Sequence, residues 1–239
     1  MKPPHEIPHD LKGHFTLGGQ IGVDTWYLDD TQEPSISKVY RLQEVTALVT
    51  QARQKGANYY GSTDSFLFEA LEHHPIVGKE IGIIGSQVPW YEAVAIASGA
   101  ASVTTIEYQT IVSEDPRIQT LTPEQYRRAP RYFDAIFSIS SIEHDGLGRY
   151  GDPINPDGDR QAMSQSRAML RPGGILFLAV PVGKDKLVWN AHRVYGRLRL
   201  PLILDGWRVL GSVGMIEELL DTDFGKEGPV QPVFILQKP

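Results

Sequence analysis

Residues 79–108, KEIGIIGSQVPWYEAVAIASGAASVTTIEY, constrain the fold more than any other part of the chain. An apolar run from Ile81 to Ile84 stops at Gly85. A helix-length stretch then covers Trp90 to Ser98, and a β-branched run from Val103 to Ile106 ends in Glu107. Strand, glycine turn, helix, strand and acid is the order that holds a nucleotide-like cofactor in α/β proteins. The glycine lets backbone approach the ligand, and the carboxylate accepts hydrogen bonds from ribose hydroxyls. The pattern favours a small cofactor-dependent enzyme.

The alternation continues downstream. Apolar runs predict strands over 81–84, 102–107, 133–139 and 173–180, with a short one near Ile118–Leu121. Helices are expected near 90–98, 123–129 and 158–170, the last punctuated by Arg171-Pro172-Gly173-Gly174. This order indicates a largely parallel sheet covered on both faces. The tail reads as a helix over Arg199–Leu204 and strands over Trp207–Gly211 and Pro232–Gln237. Upstream, 36–55 and Ser65–Glu72 read as helices. The first would be capped by Ser35 or Ser37, would carry Val39, Leu42, Val45 and Leu48 on its apolar face, and would stop at Gly56. Residues 1–35, rich in proline, glycine and acids, read as an arm that Phe15, Trp26 and Tyr27 favour docking. Residues 36–239 form the domain proper, with N-terminal helices over 36–72.

The 239 residues include no cysteine and carry a formal net charge of −6. The length suits one domain with a core that needs no disulfide or structural metal. Thiolate nucleophiles, cysteine zinc sites and iron–sulfur clusters are excluded. The acidic balance argues against nonspecific nucleic-acid binding, which needs a positive footprint. No apolar run approaches the roughly 20 residues of a membrane helix. The first residues lack an apolar signal core, so a cytoplasmic location and no membrane partner are expected. A homodimer is left open.

Gly85, Glu107 and the Arg-Pro-Gly-Gly strand carry a resemblance to the class I S-adenosylmethionine-dependent methyltransferases, closest to a short methyltransferase-like branch of unknown function. It covers about residues 57–239 and includes HRVYGRLRL before the Asp205-Gly206-Trp207 strand entrance. It implies a Rossmann-like seven-stranded, mostly parallel sheet of order 3-2-1-4-5-7-6, with the seventh strand antiparallel. S-adenosylmethionine is the cofactor implied, and a small-molecule substrate the partner. The chain also departs from that pattern. The acid usual two residues before the first glycine is Ile83 here, and the next two glycine positions hold Gln87 and Pro89. Transfer of a methyl group to an oxygen or nitrogen of a small polar molecule, such as a saccharide, is the activity implied. A methyltransferase-like binding or scaffold protein without catalysis is the alternative.

For the cofactor, Glu107 and Gly85 are the leading residues, joined by Ser86, Gln87 and Tyr108. Ser86 is open between a ligand contact and a helix cap. Tyr59, Tyr60 and Gly61 precede the first strand, where such folds cover the methionine end of the cofactor. Ser138 and Ser140 end the fourth strand beside the expected sulfonium. Just beyond it, Glu143, His144 and Asp145 put three ionisable groups at the substrate mouth. Histidine suits proton removal as a methyl group arrives, and a carboxylate beside it can orient its ring. The residues that follow, through Gln161, are too rich in Gly, Pro and Asp for regular structure. They read as a cleft lining, with Arg149 and Tyr150 toward substrate and Asp159 capping the next helix. Trp189, His192, Arg193 and Tyr195 are further substrate candidates. No metal site is expected.

Overall fold

The β-branched runs become the strands of a central sheet in the computed structural model, which describes residues 2–31, 38–225 and 229–239. A single turn α1 (Lys12–Phe15) and strand β1 (Gly22–Thr25) lie near the N-terminus. β2 (Lys38–Tyr40), α2 (Leu42–Arg53) and α3 (Ser62–His73) follow. The central unit runs β3 (Glu80–Ile84), α4 (Trp90–Ala97), β4 (Ser102–Ile106), β5 (Ile111–Ser113), β6 (Ile118–Leu121), α5 (Pro123–Arg128), β7 (Phe133–Ile139), α6 (Gly158–Met169) and β8 (Leu170–Ala179). The chain ends with β9 (Lys186–Trp189), β10 (His192–Val194), α7 (Leu200–Leu204), β11 (Arg208–Val213) and β12 (Val233–Gln237).

Seven strands form the main sheet in the order β11-β12-β8-β7-β3-β4-β6. β6, β4, β3, β7 and β8 are parallel, while β12 runs antiparallel to both β8 and β11. This is the order 3-2-1-4-5-7-6. Period-two alternation divides the core. Ile81, Ile83, Ala135, Phe137, Phe177 and Ala179 face a layer with α2, α3 and α4. Phe133, Ile136, Leu176 and Leu178 face the other side, with Met163 of α6 and Leu200 and Ile203 of α7.

Several outcomes differ from the sequence expectations, two of them at helix starts. Ser35 and Ser37 lie outside the described residues, and the helix expected from 36 begins only at Leu42. Residues 38–40 instead pair in parallel with Ile111–Ser113, which satisfies their backbone groups by a ladder rather than a helical turn. Val39 and Leu42 are therefore exposed, and the buried face of α2 is Val45, Val49 and Ala52. Asp159 does not cap α6. It sits inside the first turn, wholly buried, and turns inward to two arginines.

A second sheet, β1-β9-β10, packs beside the mouth of the first. Gly22–Thr25 pairs in parallel with Lys186–Trp189, and Phe15, Ile21, Leu147, Leu187 and Trp189 form a small core beneath it.

Candidate functional site

The carboxyl ends of β3, β4 and β7 open into a cavity of about 1100 Å³, and crevices at such strand ends are where open α/β sheets bind ligands. Gly85 turns there with φ +69°, and a Cβ on it would lie 2.1 Å from Ser141 Oγ, so the turn passes against the end of β7 in a way open only to glycine. The next residues are fixed from three sides. Tyr40 of β2 donates to Ser86 O at 2.7 Å. Ser86 Oγ lies 2.9 Å from Glu92 Oε2 of α4, and Glu92 Oε1 accepts from Thr105 Oγ1 of β4 at 2.6 Å. Glu107 Oε1 accepts from the backbone N–H groups of Tyr108 and Gln109, at 2.8 and 3.4 Å. Burial holds its carboxyl above the usual range. Its Oε2 has no donor among the described residues. Trp90, at the start of α4, also lines the cavity, and its buried Nε1–H finds no acceptor among them.

Across the cavity a 3₁₀ turn, Ile142–His144, follows β7. Ser140 reaches it with φ +50° and donates its hydroxyl to Glu143 Oε1 at 2.7 Å. His144 Nδ1 is 2.6 Å from Ala191 O. A carbonyl only accepts, so Nδ1 carries the hydrogen and neutral His144 presents the Nε2 lone pair, 3.6 Å from Glu143 Oε1. Burial pushes His144 and His192 each down to about 4, with Arg149 adding to the effect on both. Burial pushes Glu143 up to about 7 and Asp145, with help from nearby Asp152, up to about 8. Asp145 faces the cavity with no hydrogen bond to its carboxyl among the described residues. Arg149 is fastened by Asp30 Oδ2 at 2.6 Å, and its guanidinium carbon lies 4.8 Å from the Tyr150 ring centre.

The cavity wall thus brings together Gly85, Ser86, Gln87, Glu107, Tyr108, Tyr59, Tyr60, Ser140, His144, Asp145, Arg149, Tyr150 and His192 from the sequence candidates. Six others lie off it. Glu143 and Ser138 are buried just behind it, and Gly61 is the residue before α3. Trp189, Arg193 and Tyr195 are buried elsewhere. Arg193 donates to Asp145 O at 2.6 Å and lies 3.7 Å from Asp159. Tyr195 bonds Asp159 Oδ2 at 3.1 Å, and Arg199 holds the same carboxylate through two contacts. These side chains brace the loop that carries Asp145. Three contributors escaped the sequence reading: Trp26, Tyr126 and Glu92. Only Glu92 carried a local signal, as the single charge in the apolar helix WYEAVAIA.

Seven strands in this order, with a ligand-sized cavity at their carboxyl edge, define the class I S-adenosylmethionine-dependent methyltransferase fold. Within that class the chain belongs to the family described as "Caenorhabditis protein of unknown function, DUF268", which matches residues 78–221. No curated protein matches the chain in sequence. Among solved structures it is similar to 1,6-didemethyltoxoflavin-N1-methyltransferase from Burkholderia thailandensis, with bound 1,6-didemethyltoxoflavin and S-adenosylhomocysteine. That match has 16% identity and a TM-score of 0.50, and covers 80% of this chain and 78% of that one. It is also similar to the N-methyltransferase NodS from Bradyrhizobium japonicum WM9, at 14% identity and TM-score 0.49, over 74% of this chain and 94% of that one. The chain spans only 64% and 47% of two longer matched structures, from Streptococcus thermophilus and Streptococcus mutans. These likenesses concern the fold.

The residues present fit the cofactor of that class. Glu107 Oε2, which has no donor among the described residues, would be open to a ribose diol at the strand end. Gly85 clears the turn. Trp90 supplies an orphan donor beside it. No helix among the described residues is long and apolar enough to cross a membrane.

Proposed function

We propose that this protein transfers a methyl group from S-adenosylmethionine to an oxygen or nitrogen of a small polar molecule such as a saccharide. The carrying observation is the two-sided cavity. Glu107 and the Gly85 turn line one wall, and His144, Asp145 and Arg149 line the other. Its volume, about 1100 Å³, exceeds the roughly 300–1,000 Å³ of single-ligand sites and leaves room for cofactor and acceptor together. Bound S-adenosylmethionine would supply an electrophilic methyl group. The protein then has to orient the acceptor and manage its proton, because such a displacement gains chiefly from placement.

For that proton, Asp145 is the base we favour over His144. An imidazole held near 4 is a weak acceptor at neutral pH, whereas a carboxyl near 8 is matched to the task. His144 instead offers a fixed Nε2 acceptor to an acceptor hydroxyl. Arg149, Tyr150, Tyr60 and Trp26 would contact the rest of that molecule, and Tyr108 would cover the adenine edge. The binding-only alternative draws on Gln87 and Pro89, which stand where the class usually has glycine.

Calorimetry with S-adenosylmethionine and S-adenosylhomocysteine separates the readings from a loss of the cofactor. Wild type is expected to bind both in the micromolar range, and Glu107→Ala to lose at least tenfold. Folded wild-type protein that binds neither would refute the assignment.

A further inference from the structure

The turn that faces the cofactor lacks the acid its class carries at position 83, yet it is not left unanchored. Glu92 reaches back to it from α4, wholly buried, and joins three elements. Thr105 of β4 donates to Oε1 at 2.6 Å, and Oε2 lies 2.9 Å from Ser86 Oγ in the turn. Ser86 Oγ lies in turn 3.0 Å from Val88 O.

The hydrogens favour one charge state. Ser86 Oγ carries one hydrogen and has two oxygens within reach. If Glu92 were ionised, both would be acceptors, and one short oxygen–oxygen contact would have no hydrogen in it. If Glu92 carries a proton on Oε2, every contact is a hydrogen bond: Thr105 to Glu92, Glu92 to Ser86, Ser86 to Val88 O. Glu92 makes no ion pair among the described residues. The titratable groups that face it are Glu107 beyond β4 and Tyr40 of β2, with Glu44 of α2 acting on Tyr40. None is a cation, and the like charge of Glu107 favours the neutral form.

We propose that Glu92, as a neutral carboxylic acid, is the positioning residue that replaces the missing acid and holds the 85–88 turn in its ligand-facing form. Loss of its proton removes the donor to Ser86 and loosens the turn. Burial pushes the group up to about 7, so this occurs within the physiological range. The consequence for cofactor binding rests on the methyltransferase reading; the protonation state does not.

Glutamine has the same shape, donates where the acid donates and accepts where it accepts, but does not titrate. S-adenosylhomocysteine affinity, measured by calorimetry from pH 6 to 8.5, should weaken several-fold in wild type. It should stay near the low-pH wild-type value in Glu92→Gln and be at least tenfold weaker throughout in Glu92→Ala. A parallel decline in wild type and Glu92→Gln, or wild-type affinity in Glu92→Ala, overturns the proposal. Should wild type bind no cofactor at any pH, the methyltransferase reading fails and thermal melts decide the point about Glu92. The Tm of Glu92→Gln should then gain on that of wild type as pH rises from 5 to 8, and a constant offset overturns the proposal.

Discussion

Two neighbouring side chains after β7 respond to one burial in opposite senses. Removing water disfavours the charged form, which lowers the imidazole of His144 and raises the carboxyl of Asp145. At pH 7 both are then mainly neutral, and only Asp145 gains its competent basic form over the next pH unit. Under the proposed function, the rate of methyl transfer, as kcat/KM, is therefore expected to rise with pH and level off above about 8. Glu143, near 7, is coupled to it, so the profile reports the pair rather than one residue. Asp145→Asn should abolish the rise and lower kcat by about 10²–10⁴-fold, the usual scale of a general base, while leaving S-adenosylhomocysteine affinity within a few-fold. A profile unchanged in the variant would assign the proton elsewhere. Asp159, by contrast, stays below the ordinary carboxylate range despite burial, because Arg193 and Arg199 face it. That is why Arg193 and Tyr195, polar and near the site in sequence, serve its scaffold instead of its wall.

At the scale of elements, the strands of the main sheet were legible because each is an apolar or β-branched run next to a turn signal. β2 and β5 were not, because three residues carry no period and their pairing joins distant segments. The site divides in the same way. Gly85, Glu107 and the 143–145 turn follow directly from strands, so the rule that ligands bind at carboxyl ends finds them. Trp26 reaches the cavity only because β1 pairs with β9 and Asn190 clamps the chain just beyond. Asn190 Oδ1 accepts from Leu28 N at 2.8 Å and its Nδ2 donates to Leu28 O at 3.0 Å, across 162 residues. No local pattern encodes that contact. Asn190 is fully buried, so Asn190→Ala strands both Leu28 groups. The expected cost is about 1–3 kcal/mol, with hydrogen exchange at Leu28 at least tenfold faster. Protection equal to wild type would show that β1 and Asp30 hold the segment unaided.

For the whole molecule, the buried acids and histidines make opposing contributions to stability against pH. Glu92, Glu143 and Asp145 have native values raised to about 7, 7 and 8. Each binds a proton more tightly folded than unfolded, so stability present below about 4.5 is lost as pH rises through the native values. His144 and His192 are lowered to about 4, and His74 is lowered as well. Each binds a proton more tightly unfolded, so stability present above about 6.5 is lost as pH falls toward the native values. Between about pH 5 and 6 the histidines offset only part of the effect of the acids, and stability declines more gently there than near pH 7. Above 6.5 the unfolded histidines have released their protons, the native acids have not, and stability falls by on the order of 1 kcal/mol per pH unit near pH 7. At roughly 2–4 °C per kcal/mol for a chain of this length, Tm should drop by several degrees from pH 6 to 8. Calorimetric melts across that range provide the check, with Glu92→Gln, Glu143→Gln and Asp145→Asn combined as the control. The combined variant removes the protons retained on these three groups and keeps the histidines, so its Tm should decline much less than that of wild type over the same interval. An equal decline in both would place the protons on other groups and contradict the buried-acid account of the site.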